Sequence, residues 1–137
     1  SLFIKYMNDL LGKWKLTKNI KFDSFLKFTQ VPWYQRQIAA YSPIDLLLTQ
    51  TSFGYSKAIS SLFFNSHEEI KLDGEYRMYD KIKKKYEQSD DKIKVDIIGT
   101  IVNWNETLSY KPPILTVEYT WKEGEENKSA KQEFTKY

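Results

Sequence analysis

From Ile44 to the C-terminus the chain offers no connection long enough to hold a crossover helix. Strand-length segments follow one another: IDLLLTQT, YSKAISSLF, EEIKL, EYRMY, KIKKKYEQ, KIKVDII, ETLSY, ILTVEYTW and SAKQEFTKY. Short turn signals separate most of them, among them FGY, NSH, DG, QSDD, KPP and KEGEEN. Parallel neighbours need a crossover of a dozen residues or more, so these neighbours must pair antiparallel. GKWKLT, residues 12–17, alternates in the same way and adds a first strand, for about ten in all. Many short strands at even spacing point to a sandwich or a barrel.

One stretch breaks this pattern. In FDSFLKFTQVPWYQRQIAAYSP, residues 22–43, Phe22, Phe25, Leu26 and Thr29 recur at helical spacing. Asp23 or Ser24 is placed to cap that helix. Pro32 suits the first turn of a second helix, along which Val31, Tyr34, Ile38 and Tyr41 recur, and Pro43 ends it. The spacing predicts a hairpin of two helices, each of about eight to ten residues. Helices so short are marginal alone and must rest on other structure. Near the first strands of a barrel, such a hairpin is either a lid over a cavity or a plug in the open end of a filled barrel.

Composition excludes several functions. The 137 residues suit one domain, 1–137, with residues 1–9 read as an N-terminal extension. Cysteine is absent, which removes disulfides, thiol catalysis and thiolate metal sites. No apolar run approaches the roughly 20 residues that span a bilayer. No signal peptide is visible at SLFIKYMNDLLGKW, so the expected compartment is the cytoplasm. His67 neighbours Glu68 and Glu69, but one histidine without cysteine is poor zinc ligation, and a surface turn is expected there. No nucleophile elbow, paired catalytic carboxylates or phosphate loop occurs, so neither catalysis nor a cofactor nor a metal is expected. KIKKK with Tyr76, Tyr79 and Tyr86 offers charge and stacking, the raw material of a nucleic-acid-binding barrel. The competing reading is a lysine-rich outer strand face, and no nucleic acid is expected.

The order of LGKWKL, FDSFLK and VPWYQRQIAAYSP resembles the intracellular fatty-acid-binding protein family, with its cellular retinoid-binding branch, in the calycin superfamily. FFNSHEEIKLDGEY resembles a further stretch of that family with one residue inserted. The resemblance implies an all-β fold: a ten-stranded antiparallel up-and-down barrel whose helix-turn-helix, residues 22–42, forms a portal lid. It implies a monomeric carrier of a fatty acid or other long apolar molecule, with transient membrane contact through the lid.

Fatty-acid members hold the carboxylate with an arginine on the eighth strand and an R-x-Y pair on the last. This chain has two arginines, Arg36 and Arg77, and none follows. The resemblance places Gln132 and Phe134 at the last-strand pair, and two registers bring Leu108 or Tyr110 to the eighth-strand position. AKQEFTK resembles the retinol-binding ending, where a glutamine meets a neutral alcohol, although Asp45 stands where that branch has a lysine. The ligand-binding residues expected are Phe22, Phe25, Val31 and Tyr34 on the lid, Phe64, Leu108 or Tyr110, Gln132 and Phe134. Lys84 joins them if the face of Ile82 and Tyr86 looks inward; a lysine ordinarily does not. Lys27 and Arg36 are expected to face outward, toward anionic membranes.

Overall fold

The computed structural model describes residues 8–52, 54–61 and 65–137. Ten strands form one sheet: β1 Gly12–Ile20, β2 Ile44–Thr51, β3 Gly54–Ser61, β4 Asn65–Ile70, β5 Tyr76–Tyr79, β6 Ile82–Ser89, β7 Lys92–Ile98, β8 Asn103–Lys111, β9 Ile114–Glu123 and β10 Glu126–Lys136. Two helices, α1 Phe22–Phe28 and α2 Trp33–Tyr41, fall between β1 and β2. The strand order is β4-β3-β2-β1-β10-β9-β8-β7-β6-β5, and every paired neighbour is antiparallel. This is the expected up-and-down barrel.

β1 curls the sheet shut. Gly12–Lys15 pair with β2 and Trp14–Ile20 with β10, and the β10 register slips between Leu16 and Lys18. Thr17 is the extra residue, and its hydroxyl donates to the Glu133 carbonyl at 3.1 Å. Such a bulge adds local twist and bends the strand, as closure demands. β4 and β5 are the two edges, so a seam without a backbone ladder remains between them. Side chains cross it: Tyr79 donates to the Glu69 carbonyl at 3.0 Å, and Glu68 on β4 accepts from Lys84 and Tyr86 on β6. The Gly74 N–H, in the expected turn, donates to the Tyr86 carbonyl at 2.9 Å.

The apolar interior has two parts. One end of the barrel is filled by Leu10, Trp14, Ile70 and Leu115, all nearly or fully buried. Trp14 donates its indole N–H to the Leu10 carbonyl at 2.9 Å, so the largest core side chain is also satisfied. At the other end α1 lowers Phe25 onto Trp121 and Ala130, with Phe22, Phe28, Trp104 and Tyr119 around them. The Phe25 ring lies 4.4 Å from that of Tyr119, 5.5 Å from Trp104 and 5.6 Å from Trp121.

Several local expectations change. Helix α1 starts two or three residues earlier than a cap at Asp23 or Ser24 implies: Lys21 is the N-cap, in the left-handed region at φ 56°, with no side-chain cap. Asp23 instead lies in the first turn and accepts from Arg36 Nε at 3.1 Å. Arg36 Nη1 donates to the Val31 carbonyl at 2.9 Å. Arg36, expected to face outward, therefore also staples α1 to α2. NSH is not a turn but the start of β4, and β8 begins three residues before ETLSY, at Asn103.

Candidate functional site

Between the two packed ends lies a cavity of about 310 Å³. Its apolar wall comes from alternate positions of many strands, including Leu46 and Leu48 on β2, Ile93 and Val95 on β7, Leu108 on β8, Val117 on β9 and Phe134 on β10. Strand alternation turns these inward and their neighbours outward. Phe22 and Leu26 of α1 and Ala39 of α2 roof it. Next to it, a cleft of about 420 Å³ opens between α2 and the β2–β3 corner, lined by Val31, Gln35, Ile38 and Ser61. Leu26, Ala39 and Ile44 line both spaces, so these three side chains are the partition between them.

The cavity is not uniformly apolar. Lys57, Ser66, Glu68, Lys84, Tyr86, Glu106, Tyr119 and Gln132 also face it. Glu68 accepts from Lys84 Nζ at 2.7 Å and from the Tyr86 hydroxyl at 2.8 Å, with Lys57 Nζ at 3.9 Å. Burial would raise the Glu68 pKa, but the two lysines and the hydrogen bonds from Lys84 and Tyr86 outweigh it and hold the carboxyl below its ordinary value. The Tyr86 phenol is pushed far up, first by burial and then by the Glu68 and Glu106 carboxylates. The Tyr119 phenol is raised for the same first reason, with Glu106 adding to it. Both phenols keep their protons at neutral pH.

On the far wall Tyr119 donates to Gln132 Oε1 at 2.7 Å, and Gln132 Nε2 donates to Asn19 Oδ1 at 3.1 Å. Gln132 is 4% exposed, so this small network is enclosed. Glu106 accepts from the Trp104 indole N–H at 3.0 Å. Among the described residues no lysine or arginine forms an ion pair with it.

The residues nominated from sequence divide. Phe22, Leu108, Gln132 and Phe134 line the cavity. Phe25 is buried beside it in the aromatic cluster under α1. Val31 lines the outer cleft. Tyr34 does not face the cavity: it is 54% exposed, because the face of α2 toward the barrel is set by Ile38, Ala39 and the Arg36 staple. Tyr110 does not face it either. It shares the parity of Leu108 but lies one step further toward the filled end, with its ring 5.4 Å from Trp14. Phe64 lies outside the described residues. Lys84 does look inward, against the ordinary habit of lysine.

Lys57, Glu68, Glu106 and Tyr119 were missed by sequence reasoning. Parity alone could have found Glu106, two residues from Leu108, and Glu68, two residues from buried Ile70. The lysine- and tyrosine-rich surface does not assemble as a nucleic-acid face. Lys84 and Tyr86 point inward, and Lys85 pairs with Asp96 at 3.1 Å.

No family model matches the sequence, and no curated protein matches it either. Solved structures do match the fold. The Schistosoma mansoni fatty acid binding protein in complex with arachidonic acid superposes with a TM-score of 0.84 at 19% identity, covering 96% of this chain and 98% of that one. Echinococcus granulosus fatty-acid-binding protein 1 gives a TM-score of 0.83 at 17% identity, over 94% and 98% of the two chains. Human cRBP IV gives 0.78 at 20% identity, over 93% and 98%. This chain therefore shares the fold of those proteins, here a ten-stranded barrel with two helices between its first two strands.

Proposed function

We propose that this chain is a non-enzymatic carrier that holds one long apolar molecule inside the barrel and exchanges it at membranes. The observation that carries this reading is the largely apolar cavity of about 310 Å³ beneath the helices. A space of that size is at the lower end of small-molecule sites, about 300–1,000 Å³. Similarity to a fatty acid binding protein in complex with arachidonic acid supports it. Burying about fifteen methylenes is worth on the order of 12 kcal/mol gross, against association and ordering costs of about 4–15 kcal/mol. The chain of the ligand thus supplies affinity, and the polar residues of the wall select its head.

Membrane exchange rests on α2. Trp33 is 68% exposed and Tyr41 86%, with Tyr34 beside them. α2 has no acidic residue in its first turn, and Trp and Tyr favour the interface between water and lipid. The contact is aromatic in this reading, with Lys27 as its nearby exposed cation. The protein works as a monomer in the cytoplasm.

The test is displacement of a neutral fluorescent probe by long-chain amphiphiles, with mass spectrometry of lipids extracted from the purified protein. Displacement that changes little with salt is expected. Binding of single-stranded nucleic acid that falls steeply with salt, without probe displacement, would favour the other reading.

A further inference from the structure

We infer that the cavity selects a single-chain amphiphile with a primary ammonium head, held at Glu106. This rests on the carrier reading above and specifies its ligand class. It begins with the row of residues facing inward across neighbouring strands. Tyr86 stands opposite Val95, Val95 opposite Glu106, and Glu106 opposite Tyr119. All four line the cavity. With strands about 4.8 Å apart, Glu106 is flanked within two strand widths by both phenols.

The hydrogen atoms of this row are already committed. Tyr86 donates to Glu68 Oε2, and Tyr119 donates to Gln132 Oε1. Each phenol is left with oxygen lone pairs only. Gln132 spends its carbonyl on Tyr119 and an amide N–H on Asn19. A carboxylate has about four acceptor positions, and Glu106 uses one, on Trp104. The surface around Glu106 is therefore rich in acceptors and poor in donors. A fatty acid carboxylate placed there would meet lone pairs and a like charge. An ammonium brings three donors and one positive charge, matching the Glu106 carboxylate and the two phenol oxygens.

The cations of the cavity stand apart from this arrangement. Lys84 is clasped by Glu68 at 2.7 Å, and Lys57 lies 3.9 Å from the same carboxylate. In that cluster two lysines share the one Glu68 carboxylate, whereas Glu106 has no ion-pair partner among the described residues. Tryptophan supports the geometry: the Trp104 indole N–H fixes one oxygen of Glu106 and leaves the other free.

The experiment uses the whole chain and three probes of equal length: hexadecylamine, hexadecanol and hexadecanoate. Each competes against one neutral fluorescent probe at pH 7.4, below the concentration at which it aggregates. Hexadecylamine is expected to displace the probe at a concentration about ten- to a hundredfold lower than hexadecanoate. Glu106→Gln keeps the shape and the Trp104 bond, and should shrink that ratio to within about threefold, with hexadecanol barely changed. Hexadecanoate equal to or better than the amine in the parent protein overturns the inference and moves the head group to Lys57 and Lys84. An amine preference that survives Glu106→Gln overturns it as well. The parent ratio stands without the variant, so a poorly folding variant does not decide the matter. If none of the three displaces the probe, the carrier reading itself fails; if they displace it without the expected ratio, only the Glu106 assignment fails.

Discussion

The closed end of the barrel and its middle belt are built from the same strands by opposite rules. At the closed end the largest buried side chains are apolar, and Trp14 and Leu115 are 0% exposed. One or two residues along the same strands, the inward positions become Glu68, Lys84, Tyr86, Glu106 and Gln132. Packing at the first site maximises burial and dispersion contacts. At the second it leaves a space and surrounds it with polar groups that bond one another. In the carrier reading proposed above, stability and selectivity sit at different heights of one barrel, so substitutions at the two should separate them.

Trp14→Ala should have the largest effect. It deletes a fully buried ring and leaves the Leu10 carbonyl without its donor, at a cost of about 3–5 kcal/mol. Urea denaturation measures it, and a loss below about 1 kcal/mol would break the comparison.

Glu68→Gln comes next. It weakens the side-chain bridge across the seam and leaves Lys84 and Lys57 facing each other without a counter-charge, at about 1–3 kcal/mol. Its pH dependence has a fixed sign. The carboxyl is held below its ordinary value in the folded protein. Its contribution is therefore complete above the unfolded value of about 4.3 and fades as pH falls through the lower folded value. Denaturation midpoints of parent and variant should differ at pH 6 and converge as the pH drops below 4. A constant gap would show that the carboxylate charge is not what holds the seam.

Leu108→Trp sharpens the contrast further. Leu108 borders empty space, so the larger ring should change stability by no more than about 1–2 kcal/mol. Probe affinity should fall at least about tenfold, because the added volume occupies the ligand's place. Equal losses in both measurements would mean that the belt is packed like the closed end.

The smallest stability effect is expected outside the barrel. Trp33→Ser with Tyr41→Ser removes two exposed rings and should alter stability by less than about 0.5 kcal/mol. Transfer of a bound fluorescent amphiphile to vesicles, followed by stopped flow, should nonetheless slow several-fold. An unchanged rate would remove α2 from the membrane contact.

Much of the architecture was legible. The strand count, the antiparallel pairing and the helical hairpin follow from period-two segments, short turns and the 3.6-residue spacing of Phe22, Phe25 and Leu26. Several strand boundaries were misplaced, the end of β1 and the start of β10 among them, and two are informative. β4 was read without NSH and β8 without its first three residues, and both strands turn a carboxylate inward, Glu68 and Glu106. A charged residue at an inward position breaks the apolar alternation by which strands are recognised. The same residues that blur the strands thus make the site.

The sequence by itself determined the fold class, because local periodicity and connection length leave few topologies for a chain this short. It also determined that an arginine clamp on the late strands is impossible, since no arginine follows Arg77. Only the tertiary structure decided which side of each strand is the interior. That choice turned Lys84 inward, tied Arg36 between the helices, set Tyr34 in solvent and left Glu106 facing the cavity with no ion-pair partner among the described residues. The physical reason is closure. A strand's two faces are equivalent in isolation, and they become inside and outside only when β1 joins β2 and β10 to bend ten strands around one space.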